Sequence, residues 1–114
     1  MIQNITTKEK LASVVSYCDS NAKKARGLMF TSKKTDFGMV FPYTYEKIIS
    51  LHMFFVFYPI DVLFLDKNKI VVEKKEKFKP FTFYTPRKKA KYIIEFPNGI
   101  IKKTKTELGD KINF

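Results

Sequence analysis

The feature that most constrains this chain is an apolar band at residues 48–65, broken by His52, Pro59 and Asp61. Its length raises the question of a membrane span. A spanning helix needs ~20 predominantly apolar residues, and an aspartate near its middle costs about 2.5–3.5 kcal/mol on insertion scales. The band is slightly short for that, and its second half holds both Pro59 and Asp61. Two consecutive strands, residues 48–58 and 60–65, fit better and predict the heart of a small β-rich core. In the first strand, Leu51, Met53, Phe55 and Phe57 fall on one face and His52, Phe54, Val56 and Tyr58 on the other. Both faces are apolar, so either the strand is covered on both sides or one face, that of Phe54, lines a pocket or an association surface.

A chain of 114 residues fits one domain with a single modest core. Its 45% apolar and 29% charged content is that of a globular protein. Twelve Phe and no Trp make that core rich in phenylalanine. Cys18 is the one cysteine, which rules out an intrachain disulfide, suits a reducing compartment and predicts a cytoplasmic location. The amino terminus lacks a basic segment followed by an apolar run, so no secretory signal is expected.

The formal net charge is +11, and of the 22 basic residues only Arg26 and Arg87 are arginine. Such a field attracts nucleic acid or an anionic surface. The lysines are spread along the chain, however, as in Lys-rich thermophile surfaces, so weak, sequence-nonspecific nucleic-acid binding is the most that charge alone implies.

Residues 1–10 read as a loosely held segment with at most a short strand at 2–5, and residues 11–17 as one strand. A short helix over 21–26 is capped by Asp19 or Ser20 and closed by Gly27. Strands follow at 38–41, 60–65 and 70–73, the last two joined by a tight turn at Lys67-Asn68-Lys69. Residues 74–79 read as a solvated strand end or loop, and 81–84, between Pro80 and Pro86, as irregular or edge structure. Residues 90–96 form a strand with Tyr92, Ile94 and Phe96 on one face; 100–108 can hold a short helix, and 111–114 a last strand. The fold expected is mainly β: a single-domain antiparallel sandwich or distorted barrel over residues 11–114, with one or two short helices.

Taken in order, several landmarks carry a family resemblance. Ala25-Arg26-Gly27-Leu28-Met29-Phe30 is followed by Gly38-Met39-Val40-Phe41, then Pro59-Ile60-Asp61-Val62-Leu63-Phe64-Leu65-Asp66, then Ala90-Lys91-Tyr92-Ile93-Ile94-Glu95 and Gly109-Asp110. This series resembles the family known as domain of unknown function 192 over residues 11–114. The resemblance implies a compact, mostly β domain and brings no established activity. One departure matters. Where that family has a Trp-Met-Lys-Asn-Thr string, this chain has His52, Met53, Phe54, Phe55 and Val56, so roles resting on the polar members do not transfer.

Asp61 is the sharpest polar feature, a carboxylate on the same strand face as Leu63 and Leu65. Buried there, it must find a cation or hydrogen bonds. Arg26 is its natural partner by chemistry, with a lysine or backbone amides as the alternatives. Such a group is either a structural pin or a binding or catalytic carboxylate, and Glu95 is a second carboxylate of the same kind. His52 and Cys18 each stand alone, which gives no metal-ligand cluster, and Asp19 beside Cys18 raises rather than lowers the thiol pKa. No glycine-rich phosphate loop is present and no cofactor is expected; Gly27 and Gly99 read as positive-φ positions. The aromatic stretch at 81–84, flanked by Lys77, Lys79, Arg87, Lys88 and Lys89, can stack single-stranded bases or pack on the core as an edge.

These observations favour a non-catalytic ligand-binding or protein-interaction module, with Arg26, His52, Phe54 and Asp61 as candidate binding residues and an unidentified ligand, protein partner or second copy as occupant. A nonspecific nucleic-acid binder, and an enzyme using Asp61 as acid or base with Glu95, are the alternatives.

Overall fold

The computed structural model describes residues 1–18, 36–52 and 58–114. Among these residues are ten strands and one short helix. The centre is a five-stranded sheet, in order, of β3 (Val14–Tyr17), β4 (Phe37–Lys47), β9 (Ala90–Pro97), β6 (Ile60–Leu65) and β7 (Val71–Phe78). All its ladders are antiparallel except β3 with β4, which is parallel. A three-stranded sheet, β10 (Ile112–Asn113), β1 (Ile2–Asn4) and β2 (Glu9–Ala12), packs on one face with the helix α1 (Ile100–Thr104). A two-stranded ribbon of β5 (Leu51–His52) and β8 (Phe83–Tyr84) contributes Leu51 and Tyr84 to the other. Among the described residues the result is a layered β sandwich that does not close into a barrel.

Central position explains why β6 has no polar alternation. It lies between β7 and β9 and is covered above and below, and all six of its residues are buried. Ile60, Val62 and Phe64 meet Met39, Phe41, Phe78 and Ile93 on one face. Leu63 and Leu65 meet Ile2, Leu11, Ile94, Phe96 and Ile101 on the other. Gly38 serves the second face: a Cβ there would come within 2.4 Å of Ile2 Cδ1 and 3.1 Å of Phe96 Cε1.

Several elements depart from the sequence expectations. Residues 1–10 are tied in: Ile2 and Asn4 are fully buried, and β1 pairs on both sides. Asn4 Nδ2 donates to Thr106 Oγ1 (3.1 Å) and Asp110 Oδ2 (2.9 Å), fastening the amino-terminal strand to the carboxy-terminal turn. The single strand expected at 11–17 splits at Ser13 between two sheets. Asp36 sets the break, accepting the Ser13 N–H at Oδ1 (2.8 Å) and the Val14 N–H at its carbonyl (3.4 Å). Pro42 is tolerated inside β4 because β3 stops opposite Val40, so among the described residues no neighbour on that side requires its missing N–H.

The expected turn at 67–69 is present, with the Asp66 carboxylate accepting the N–H of Asn68 (2.8 Å) and of Ile70 (3.0 Å) and Lys69 at φ 61°. Of residues 74–79, read as a solvated strand end or loop, 74–78 are the end of β7, with Glu76 and Lys77 exposed and Phe78 buried. The expected helix over 21–26 lies outside the described residues. Of the strand expected over 48–58, only Leu51–His52 is strand among the described residues; residues 48–50 and 58 are not, and 53–57 lie outside them.

Candidate functional site

Two carboxylates meet the central sheet from opposite faces, and their surroundings give them different roles. Asp61, in β6, is fully buried on the face that carries α1. Its Oδ1 accepts the Lys77 N–H (3.0 Å), and its Oδ2 accepts the N–H of Gly99 (3.1 Å) and Ile101 (2.9 Å). Burial raises its pKa above the ordinary carboxylate value, and the three N–H bonds only partly offset this. The bonds explain two local irregularities. Between Ile60 and Val62 the ladder shifts, so that Phe78 and Lys75 are their partners on β7 and an extra residue bulges there. Lys77 takes a left-handed φ of 52° inside that bulge, and its N–H turns to Asp61. Gly99, at φ 98°, turns the chain from β9 into α1 so that two amides of that turn converge on Oδ2. Asp61 thus clamps β6 to β7 and α1 through backbone amides, the third of the partner types open to it. Arg26 lies outside the described residues.

Glu95, in β9, faces the other way. It stands in register with Met39 of β4 and Val62 of β6, on the face shared with Ile93. It is only partly exposed there, and among the described residues it makes no hydrogen bond or ion pair. Desolvation without compensation pushes its carboxyl up to about 8. Tyr43 and Tyr58 lie close enough to feel its charge, and burial first, then Glu95, raises both phenols. The Tyr43 ring also takes the Lys47 ammonium at 4.9 Å from its centroid. The surroundings are therefore apolar and aromatic around one acid: Met39, Val62 and Ile93 in the sheet, with Tyr43 and Tyr58 beside it.

The residues singled out by sequence are dispersed. Arg26 and Phe54 lie outside the described residues, and of His52 only the backbone is described, paired with Phe83 in the β5–β8 ribbon. Cys18 is buried against the Glu95 side of the sheet, its N–H bonded to the Val40 carbonyl (2.8 Å). Among the described residues no group of three His, Cys, Asp or Glu converges as metal ligands would. Nor is any of their helices long and apolar enough to cross a membrane. The aromatic stretch divides. Tyr84 packs inward, its hydroxyl on Glu73 and its pKa pushed up to about 12 by burial and that bond, whereas Phe81 and Phe83 remain 60% and 71% exposed. Glu95 is the residue that sequence reading undervalued. Its signal was strand alternation, which places it on the face of Ile93 rather than in solvent.

The sequence pattern of the DUF192 family, described as an uncharacterized ACR, matches residues 3–114. The chain belongs to this family. A UPF0127 protein of Pyrococcus horikoshii is 41% identical over 116 aligned residues, covering 100% of this chain and 98% of its own length. Two solved structures share the DUF192 chain's fold. One, from Sinorhizobium meliloti 1021 and described as a "putative transcription regulator", gives a TM-score of 0.81 at 22% identity over 87% of this chain and 79% of its own. The other, a protein of unknown function from Novosphingobium aromaticivorans, gives 0.80 at 21% identity over 88% and 74%. At such identities the likeness is one of fold. It agrees with the β-rich domain implied by the landmarks from Arg26 to Asp110, and extends the matched region forward into β1.

Proposed function

We propose that this DUF192 domain is a non-catalytic binding module whose site is the face of the central sheet around Glu95, and that its ligand is a small organic cation with an apolar body. One observation carries the reading: a partly buried carboxyl in register between Met39 and Val62, with no hydrogen-bond partner among the described residues, so that burial pushes it up to about 8. A carboxyl so placed gains more from an incoming cation than from any other ligand class, because the ion pair recovers the desolvation that burial imposed. Tyr43 and Tyr58 support the same choice, since aromatic faces attract ammonium groups.

Catalysis is disfavoured by the arrangement of the acids. Acid–base chemistry requires groups that reach a common substrate. Asp61 has no exposure, spends both oxygens on backbone amides and faces the layer opposite Glu95. Arg26, His52 and Phe54 remain proposed contributors from sequence, and the reading does not depend on them.

The test is a panel of primary and quaternary amines with alkyl or aryl bodies, screened by thermal shift at pH 7 and followed by calorimetry in buffers of different ionisation enthalpy. The wild type should be stabilised by a subset of these, with uptake of ligand releasing close to one proton, and Glu95→Gln should lose both effects. A panel that stabilises the wild type and Glu95→Gln equally, or not at all, would overturn the reading.

A further inference from the structure

A second surface, separate from the Glu95 face, combines charge and exposed aromatic rings. Past the Asp61-pinned bulge at Lys77, the end of β7 and the turn into β8 enclose a groove of about 310 Å³. Lys75, Lys77 and Lys79 line it with Thr82, the buried Phe78 and the exposed Phe83. Its size is at the lower end of ligand clefts, about 300–1,000 Å³. Two backbone features hold the shape: left-handed φ at Lys77 and Phe81 (52° and 61°), and a turn closed by the Thr82 hydroxyl on the Lys79 carbonyl (2.6 Å). Pairing of Phe83 with His52 and of Tyr84 with Leu51 fixes the ribbon, so that Tyr84 packs on the core and Phe83 turns out.

We infer that this groove binds single-stranded nucleic acid without sequence preference, the lysines meeting phosphates and Phe83 stacking on a base. Charge complementarity selects an anion, for three lysines line one groove in a chain of net charge +11, the Lys75 ammonium lying 5.2 Å from the Tyr84 ring centroid. The exposed ring selects an anion that carries a planar face. A base in a duplex has both faces stacked, whereas a single strand presents them freely, and aromatic platforms in basic grooves are the usual means of holding such strands. Lysine ammonium groups act as point charges toward phosphate and read no base edges, which accounts for the absence of sequence preference.

The experiment is fluorescence anisotropy with a fluorescein-labelled 12-mer of deoxythymidine, from 50 to 200 mM salt. The full chain should bind at 50 mM salt and weaken steeply with added salt. A triple variant, Lys75→Gln with Lys77→Gln and Lys79→Gln, should bind at least tenfold more weakly, and the slope of log affinity against log salt should flatten by about two, at ~0.7 per phosphate contact. Phe83→Ala should lose about fivefold or more and Phe83→Tyr should restore most of it, because stacking survives that change. The control carries the same charge change at Lys8, Lys10 and Lys67, outside the groove, and should lose less than threefold. An equal loss in the control would overturn the inference, since the field would then be diffuse. An unchanged affinity for Phe83→Ala would do the same, as would binding to vesicles of anionic phospholipid with none to the oligonucleotide. Circular dichroism of each variant, including the one that changes the half-buried Lys75, confirms that the substitutions leave the fold in place.

Discussion

Replacing Asp61 with alanine removes three acceptor contacts at once. The Ile101 N–H is buried and would be left without its partner; the Lys77 and Gly99 amides are part-buried and would recover some hydration. An orphaned buried group costs roughly 1–3 kcal/mol. Counting Ile101 near the top of that range and the other two near the bottom gives a loss of about 3–5 kcal/mol, comparable to breaking a buried ion pair. With a guanidinium dependence of about 3 kcal/mol per molar, the unfolding midpoint should fall by ~1–1.7 M. Asp61→Asn keeps one acceptor oxygen but sets an amide NH₂ against an N–H donor, so its midpoint should fall between the two. The assay is equilibrium guanidinium unfolding followed by circular dichroism on all three proteins. An Asp61→Ala midpoint within 0.2 M of wild type would refute the clamp and return Asp61 to the list of binding carboxylates.

The remaining predictions concern packing, the terminal network and charge. Gly38→Ala places a methyl 2.4 Å from Ile2 Cδ1 and should destabilise by about 1–3 kcal/mol, read from urea unfolding. Asn4→Ala cuts the link from β1 to Thr106 and Asp110 and should cost about 2–3 kcal/mol, with faster amide exchange in β1 and β10 than in the central sheet. Glu95→Gln should stabilise the protein at pH 8 and not at pH 4. The folded pKa of about 8 exceeds the ordinary 4.5, so the folded state binds a proton more tightly and loses stability as pH rises through that window. At 1.36 kcal/mol per pH unit the limit is ~5 kcal/mol, which partial contact with water reduces to about 2 kcal/mol.

How far sequence reached follows from which interactions are local. β6 was readable because its apolar run is bounded by Pro59 and by the Asp66 turn, all within ten residues. The burial of Asp61 was readable from the same run. Its partners were not, for they are main-chain amides 16 to 40 residues away whose direction depends on a bulge and on a left-handed glycine. The split at Ser13 was hidden for the same reason, because it depends on Asp36, 23 residues on. The outward turn of Phe83 is set by pairing with His52, and no local pattern encodes that register. Glu95 was visible as a carboxylate in an apolar strand. Its lack of a described partner emerges only when Met39 and Val62 are seen on either side. The family landmarks brought the fold into view without pointing to either surface.

Glu95, with no partner among the described residues and its carboxyl raised by burial, is the group on which cation binding depends, and side-chain carbon NMR of the glutamate-labelled protein reads its titration directly. Titrated from pH 3 to 10, with assignment by loss of the signal in Glu95→Gln, the Glu95 carboxyl should show a midpoint near 8, well above the ordinary 4.5. Adding an amine that the protein binds should draw that midpoint down. A midpoint at or below 4.5 in the ligand-free protein would mean that Glu95 already has its partner within the fold, and the proposed site would fall with it.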